Sequence, residues 1–189
     1  MRVKLKLVST SELESAMVGL SLSRNRDPSE MPNVFKKLWV KADQHNKYLR
    51  MIDVTLDMTF PRYFWQQFDT YKIGVNCQSE STMYTLTKKP LTQLNFCRNL
   101  PEEYLEYLND LIIRFNKETP TCLKSAICMN LKNSLPEGFL QRRIVKVNLQ
   151  TLKRIYFQRS KHKLLEWVYF CDFIKNEVYK NFEWIDSND

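Results

Sequence analysis

At 189 residues, with 43% hydrophobic and 13% aromatic content, the chain is long enough for a single domain with a real core. Three glycines, and no GxGxxG or GxxxxGK[ST] run, argue against a dinucleotide or P-loop fold. The formal charge of +8 asks for an anionic partner, most simply phosphate.

Five cysteines (Cys77, Cys97, Cys122, Cys128, Cys171) are scattered and form no CxxC pair. With only His45 and His162 beside them, they point away from a zinc site and toward free thiols in a reducing cytosol. The amino-terminal apolar run is short and broken by Lys4 and Lys6, and no stretch of about 18 apolar residues follows to span a bilayer. A soluble, cytoplasmic chain with no membrane contact is expected.

Arg2 to Val8 alternates charged and apolar residues, the period of a half-buried strand. Ser9-Thr10-Ser11, followed by Glu12 and Glu14, predicts a hydroxyl-capped helix burying Leu13, Ala16, Met17 and Leu20. Residues 25–33 read as a loop, and a second helix runs from about Val34 to Asp43. From Ile52 to Phe60 every second residue is apolar, the cleanest strand signal in the chain. Pro61 ends it and suits the first turn of a helix, RYFWQQFDTY. Residues 72–89 form a polar, hydroxyl-rich loop. Pro101 and Pro120 each open a helix, the first burying Leu105, either Tyr107 or Leu108, Leu111 and Ile112. A long apolar helix follows Lys163, and the tail EWIDSND is expected to fray. The result is a helix-rich α/β (α+β) single domain with a small mixed or antiparallel sheet.

Arg142, Arg143, Lys146, Lys153, Arg154, Arg159, Lys161 and Lys163 fall in one block with no acid, and match the whole charge surplus. A helix from about Arg142 to Ser160 puts Ile144, Val145, Leu149, Leu152, Ile155 and Tyr156 on one side. Arg142, Arg143, Lys146, Lys153 and Arg154 fall on the other. Asn148 and Arg159 are polar residues on the apolar side, three turns apart. An Arg turned inward needs a carboxylate or a ligand phosphate. The alternative is that Asn148 caps a helix starting there, with Arg159 just past its end. The exposed cations also make a nucleic-acid surface of Arg142, Arg143, Lys146, Lys153, Arg154, Lys161 and Lys163, against the plainer possibility of a solvated helix face.

The order of these pieces resembles flavin-dependent thymidylate synthase. His45, the strand, then Arg62 and Gln67 five residues on, look like that family's His, strand, and Arg with Gln at the same interval. Ser81 and Tyr84 fall where the family carries its RHRxxSxNExSxRY signature. Leu135-Pro136 resembles its Leu-Pro. Asn148, Leu152, Phe157 and Arg159 match an Asn, Leu, Phe and Arg at the same spacing. The resemblance implies FAD as cofactor, a nucleotide such as dUMP as ligand, and a homotetramer. It also implies cofactor contacts from His45, Arg62, Gln67, Lys72 and Asn148, and nucleotide contacts from Ser79, Ser81, Tyr84 and Arg159. The chain departs from the family at Thr70-Tyr71-Lys72, or Tyr71-Lys72-Ile73 with the gap shifted by one, where Arg-His-Arg belongs, and at Met83, where the signature has an Arg before its Tyr. Reduced flavin and pyrophosphate both want cations nearby. The departures therefore argue against the family's own reaction. His162 with Cys171, Ser79 with Ser81, and Asp53 with Asp57 lack the partners that nucleophilic or metal chemistry needs.

Overall fold

The computed structural model describes residues 1–11, 13–41, 45–118 and 120–185. Glu12, Asp43 and the end of the tail lie outside them.

Strand β1 (Lys4–Thr10) takes the alternating stretch as expected. The hydroxyls after it do not cap a helix. Ser11 instead accepts from the Asp53 amide at 2.8 Å, while its own amide donates to the Asp53 carbonyl, so it joins the ends of two strands. Helix α1 (Glu14–Leu22) buries Ala16 fully, but leaves Leu13, Met17 and Leu20 half-buried. A 3-10 turn at Pro28–Glu30, capped by Asp27, leads into α2 (Met31–Trp39). That helix starts and ends a few residues earlier than its apolar pattern predicts. Another 3-10 turn covers Lys47–Met51.

Strand β2 (Asp53–Pro61) buries Val54, Leu56, Met58 and Phe60 and half-exposes the residues between, following the sequence alternation. Pro61 closes it, and α3 (Arg62–Phe68) follows directly. The polar stretch expected to be all loop holds strand β3 (Val75–Ser79) and a single helical turn, α4 (Thr82–Thr85). Helices α5 (Glu102–Lys117) and α6 (Thr121–Asn133) match expectation; α5 buries Leu105, Leu108, Leu111 and Ile112, and of the two alternatives at its centre Tyr107 is the exposed one.

The basic block is not one helix. Residues Leu140–Asn148 form strand β4, and only Leu149–Arg159 are helical, as α7. Helix α8 (Leu165–Phe173) passes into a π turn, Ile174–Val178, and a 3-10 turn, Tyr179–Asn181. The tail is anchored as far as it is described. Trp184 is buried against the rings of Phe35, Trp39 and Tyr48 at centroid distances of 5.2, 5.6 and 5.9 Å.

The four strands form one antiparallel sheet in the order β1-β2-β4-β3, and the fold is α+β and helix-rich. The chain divides into two compact units. The first comprises Met1–Lys4, Thr59–Phe68 and Gln78–Arg143; the second comprises Leu5–Met58, Asp69–Cys77 and Ile144–Asp189. In the first, Leu105, Leu108, Leu111 and Ile112 of α5 cluster with Ile127, Leu131, Leu135 and Phe139. Phe60 stacks on Phe64 at 4.2 Å. In the second, Leu152, Ile155, Trp167 and Phe170 are fully buried, with Val54, Leu56 and Val145. Among the described residues no helix is long and apolar enough to cross a membrane.

Candidate functional site

In the first unit the start of α3 is pinned by its backbone. The Arg62 amide donates to the Phe139 carbonyl at 3.1 Å, and the Tyr63 amide to that of Glu137 at 3.4 Å. The Arg62 side chain is fixed from the same segment. Its Nη1 donates to the Leu135 carbonyl at 3.3 Å, and its Nη2 lies 3.7 Å from the Glu137 carboxylate. Beside it is a hollow of about 190 Å³, lined by Arg62, Thr82, Lys132, Leu135, Phe139 and Gln141. Lys132, in the last turn of α6, directs its ammonium to the Met83 thioether at 3.2 Å, a weak acceptor. Gln141 is oriented by a 3.0 Å bond to the Glu80 carbonyl. Two cations, a hydroxyl and a carboxamide around a space of this size suit a phosphate or carboxylate.

Of the residues singled out in sequence, Arg62 lines this hollow, with Leu135 of the Leu-Pro pair beside it. Gln67 is half-buried on the same helix. Ser79 ends β3, Ser81 precedes α4, and Tyr84 is exposed. Lys132, Thr82 and Gln141 carry no sequence signal. They lie on three different elements, and nothing local links Lys132 to an Arg seventy residues earlier.

In the second unit a hollow of about 400 Å³ is lined by Gly19, Leu20, Ser23, Arg24, Leu38, His45, Lys47, Tyr48 and Met51. Arg24, His45 and Lys47 bring nitrogen groups to it, over an apolar floor of Leu20, Leu38 and Met51. No carboxylate lines it among the described residues. Tyr48 is locked by donating its hydroxyl to the Phe35 carbonyl at 3.2 Å, and burial pushes its phenol above the ordinary range. This combination can take a flat ring on the floor and an anionic group at the rim. Of the residues the resemblance implied as cofactor contacts, His45 lines this hollow; Arg24 and Lys47 beside it carried no signal in the sequence.

Asn148 and Arg159 line neither hollow and stand at opposite ends of α7, roughly 16 Å apart along its axis. Asn148 is the N-cap, and its Oδ1 accepts from the Thr151 amide at 2.9 Å. Its own amide donates to the Gly74 carbonyl at 2.9 Å, and the Thr151 hydroxyl donates to the Ile73 carbonyl at 2.8 Å. The capping alternative is thus realised, and it ties the 73–74 turn to the start of α7.

Arg159 is half-buried as the last residue of α7. Its Nε donates to the Tyr71 hydroxyl at 2.9 Å, and its guanidinium lies 4.9 Å from the Trp167 ring centroid. Tyr71 in turn donates to Gln158 Oε1 at 3.0 Å. Lys72 is exposed. Burial first, then the charges of Arg159 and Lys163, hold His162 below the ordinary imidazole range. Burial and Asp172 push the Cys171 thiol up to about 12, with Arg159 opposing.

The single basic helix face is absent. Arg142, Arg143 and Lys146 sit on β4, and Lys153 is buried with its ammonium on the Trp39 carbonyl. Lys146 pairs with Asp53 at 2.8 Å. Arg143 stacks 4.3 Å above the Trp65 ring. Arg154, Lys161 and Lys163 stay exposed. Among the described residues no group of three His, Cys, Asp or Glu side chains could hold a metal ion.

No protein-family model matches the sequence, and no curated protein matches it. The fold, however, is that of flavin-dependent thymidylate synthase. The chain superposes on a crystal structure of thymidylate synthase X (ThyX) from Helicobacter pylori with FAD and dUMP, with a TM-score of 0.72 and 15% identity. The match covers 96% of this chain and 97% of that one. A second crystal structure, flavin-dependent thymidylate synthase ThyX from Helicobacter pylori complexed with FAD and dUMP, gives a TM-score of 0.72 at 15% identity. It covers 95% of this chain and 98% of the other.

Proposed function

We propose that this chain binds a flavin or a pyrimidine nucleotide on a thymidylate-synthase-like fold and serves pyrimidine nucleotide metabolism or modification. The observation that carries the reading is the conjunction of fold and charge. The similar structures hold FAD and dUMP, and each unit of this chain has a hollow rimmed by cations. The hollow with Arg24, His45 and Lys47 takes the ring-bearing ligand. The smaller one, with Arg62 and Lys132, takes a terminal phosphate. Lys72, Ser79, Ser81, Tyr84 and Gln67 supply further polar contacts in a homo-oligomer, while Asn148 and Arg159 serve the structure, as the cap of α7 and as the partner of Tyr71.

The residues present fit a flavin's size and a phosphate's charge. They do not fit the family's reaction. With the gap placed either way, Tyr71 and Lys72 fall where Arg-His-Arg belongs, and the Tyr71 hydroxyl is engaged by Arg159 and Gln158. Bound flavin would supply redox chemistry, while this chain's contribution is to bind and orient. Binding without dTMP formation from dUMP is the expected behaviour.

The test is an absorbance spectrum of the purified protein from the near ultraviolet to the blue, with thermal shifts for FAD, FMN and dUMP. A ligand at a hundred times its Kd stabilises by about 2.7 kcal/mol, roughly 5–10 °C at this size. R62M and K132M should abolish the dUMP shift, and R24M or H45A the flavin shift. A colourless protein with no shift for any of the three overturns the reading.

A further inference from the structure

Alone of the eight cations in the basic block, Lys153 is buried, at 4% exposure. An ammonium out of water costs several kcal/mol unless its donors are met. Its Nζ donates to the Trp39 carbonyl and reaches the Lys41 carbonyl at 3.4 Å, lying 4.6 Å from the Trp39 ring centroid. These carbonyls are at and just beyond the end of α2, where the helix leaves acceptors unmet and its dipole favours a cation.

A second side chain grips the same place. Asn46, fully buried, donates its Nδ2 to the Lys41 carbonyl at 3.1 Å. Asn46 stands between His45 and Lys47, both of which line the larger hollow. Its carbonyl accepts from the Leu49 amide at 3.0 Å and so opens the turn that carries Tyr48 and Met51 into that lining. Leu38, also in the lining, directly precedes the Trp39 carbonyl that Lys153 holds.

We infer that Lys153 is a positioning residue for this hollow: it fixes the Trp39 and Lys41 carbonyls, to which Asn46, and through it His45 and Lys47, are tied. The role in ligand binding rests on the functional reading above; the positioning itself does not. A buried Lys in the middle of α7 thereby makes the geometry around His45 depend on a helix that supplies no side chain to the hollow.

The chain has two histidines, so the imidazole carbon–proton spectrum of the ligand-free protein gives one probe in the hollow and one reference. K153M should shift or broaden the His45 signals and leave those of His162 in place. K153M also leaves the Trp39 and Lys41 carbonyls without this donor, so the melting temperature should fall; the histidine signals and the two ligands, not stability, decide the role. The flavin Kd should rise tenfold or more, with the dUMP response of the Arg62 hollow unchanged. A purely structural lysine would weaken both ligands together. Unmoved His45 signals in folded K153M overturn the inference, as do His45 and His162 moving alike. If K153M does not fold, N46A cuts the other end of the same tie, and unmoved His45 signals there overturn it equally. If the wild type binds no flavin, the functional reading fails while the histidine spectra still decide the positioning.

Discussion

Gly74 sits at φ +67°, and a Cβ built on it would lie 1.8 Å from Asn148 Nδ2. Two constraints meet at one residue: a left-handed backbone and a carboxamide packed against the bare Cα. Any side chain must strain the turn or expel the cap. Gly74→Ala is therefore expected to cost about 1–3 kcal/mol. Asn148→Ala, which removes the cap, should cost about 1 kcal/mol. The double variant should cost clearly less than the sum, because Asn148→Ala vacates the space that the methyl group added by Gly74→Ala needs. Urea unfolding of the three proteins measures this, and strict additivity would count against the packing argument. The cap was legible, since an Asn before an apolar-periodic run is a local signal. Its contact with Gly74 was not, because the partners lie far apart in the chain and a glycine in a polar stretch has many uses. Arg159 was legible only as an inward-turned cation. That a tyrosine hydroxyl and an indole face receive it is a tertiary fact.

At the scale of elements, β2, α5 and α6 were written plainly because each has one wet face and one dry one. Strand β4 was not. Its run QRRIVKVN pairs two cations and then two β-branched residues, so periods of 2 and 3.6 fit it almost equally. Position in the sheet decides: β4 lies between β2 and β3, and buries Val145 and Val147 while Arg142, Ile144 and Lys146 face outward. Strand β3 was hidden for a different reason. It is an edge strand with no buried residue, so there is no apolar alternation to see. The strand assignment for β4 has a direct check. A helix would bury Ile144 and Val145 on one side together; the strand sets them on opposite faces. Val145→Ala should cost about 2 kcal/mol, and Ile144→Thr should stay within about 0.5 kcal/mol. Equal costs for the two would restore the helix.

At the scale of the whole molecule, three groups shifted strongly toward neutrality among the described residues, Tyr48, Cys171 and Tyr179, all belong to the second unit. Burial, with Cys171 and Tyr156 adding, holds the Tyr179 phenol well above its ordinary range. Tyr48 is raised by burial, and Cys171 to about 12 by burial and Asp172. In the unfolded chain these protons leave near about pH 8.5 for the thiol and about pH 10 for the phenols. A raised folded value means that the unfolded state deprotonates first, so stability falls as pH rises. The contribution should be complete below about pH 8.5, begin to fade above it, and fall faster beyond about pH 10. Tyr179 separates this linkage from general charge repulsion. Its hydroxyl is buried and finds no hydrogen-bond partner among the described residues, while its ring packs edge-on against Trp39 at 5.2 Å. Tyr179→Phe keeps the ring, removes an unmatched polar group, and deletes one titration. It should be as stable as the wild type or up to about 1 kcal/mol more stable near neutrality. It should also lose stability less steeply in urea titrations above about pH 10. An alkaline slope identical to the wild type's would mean that the phenol is already solvated in the folded protein, and the packing around the end of α8 would have to be looser than the ring distances require.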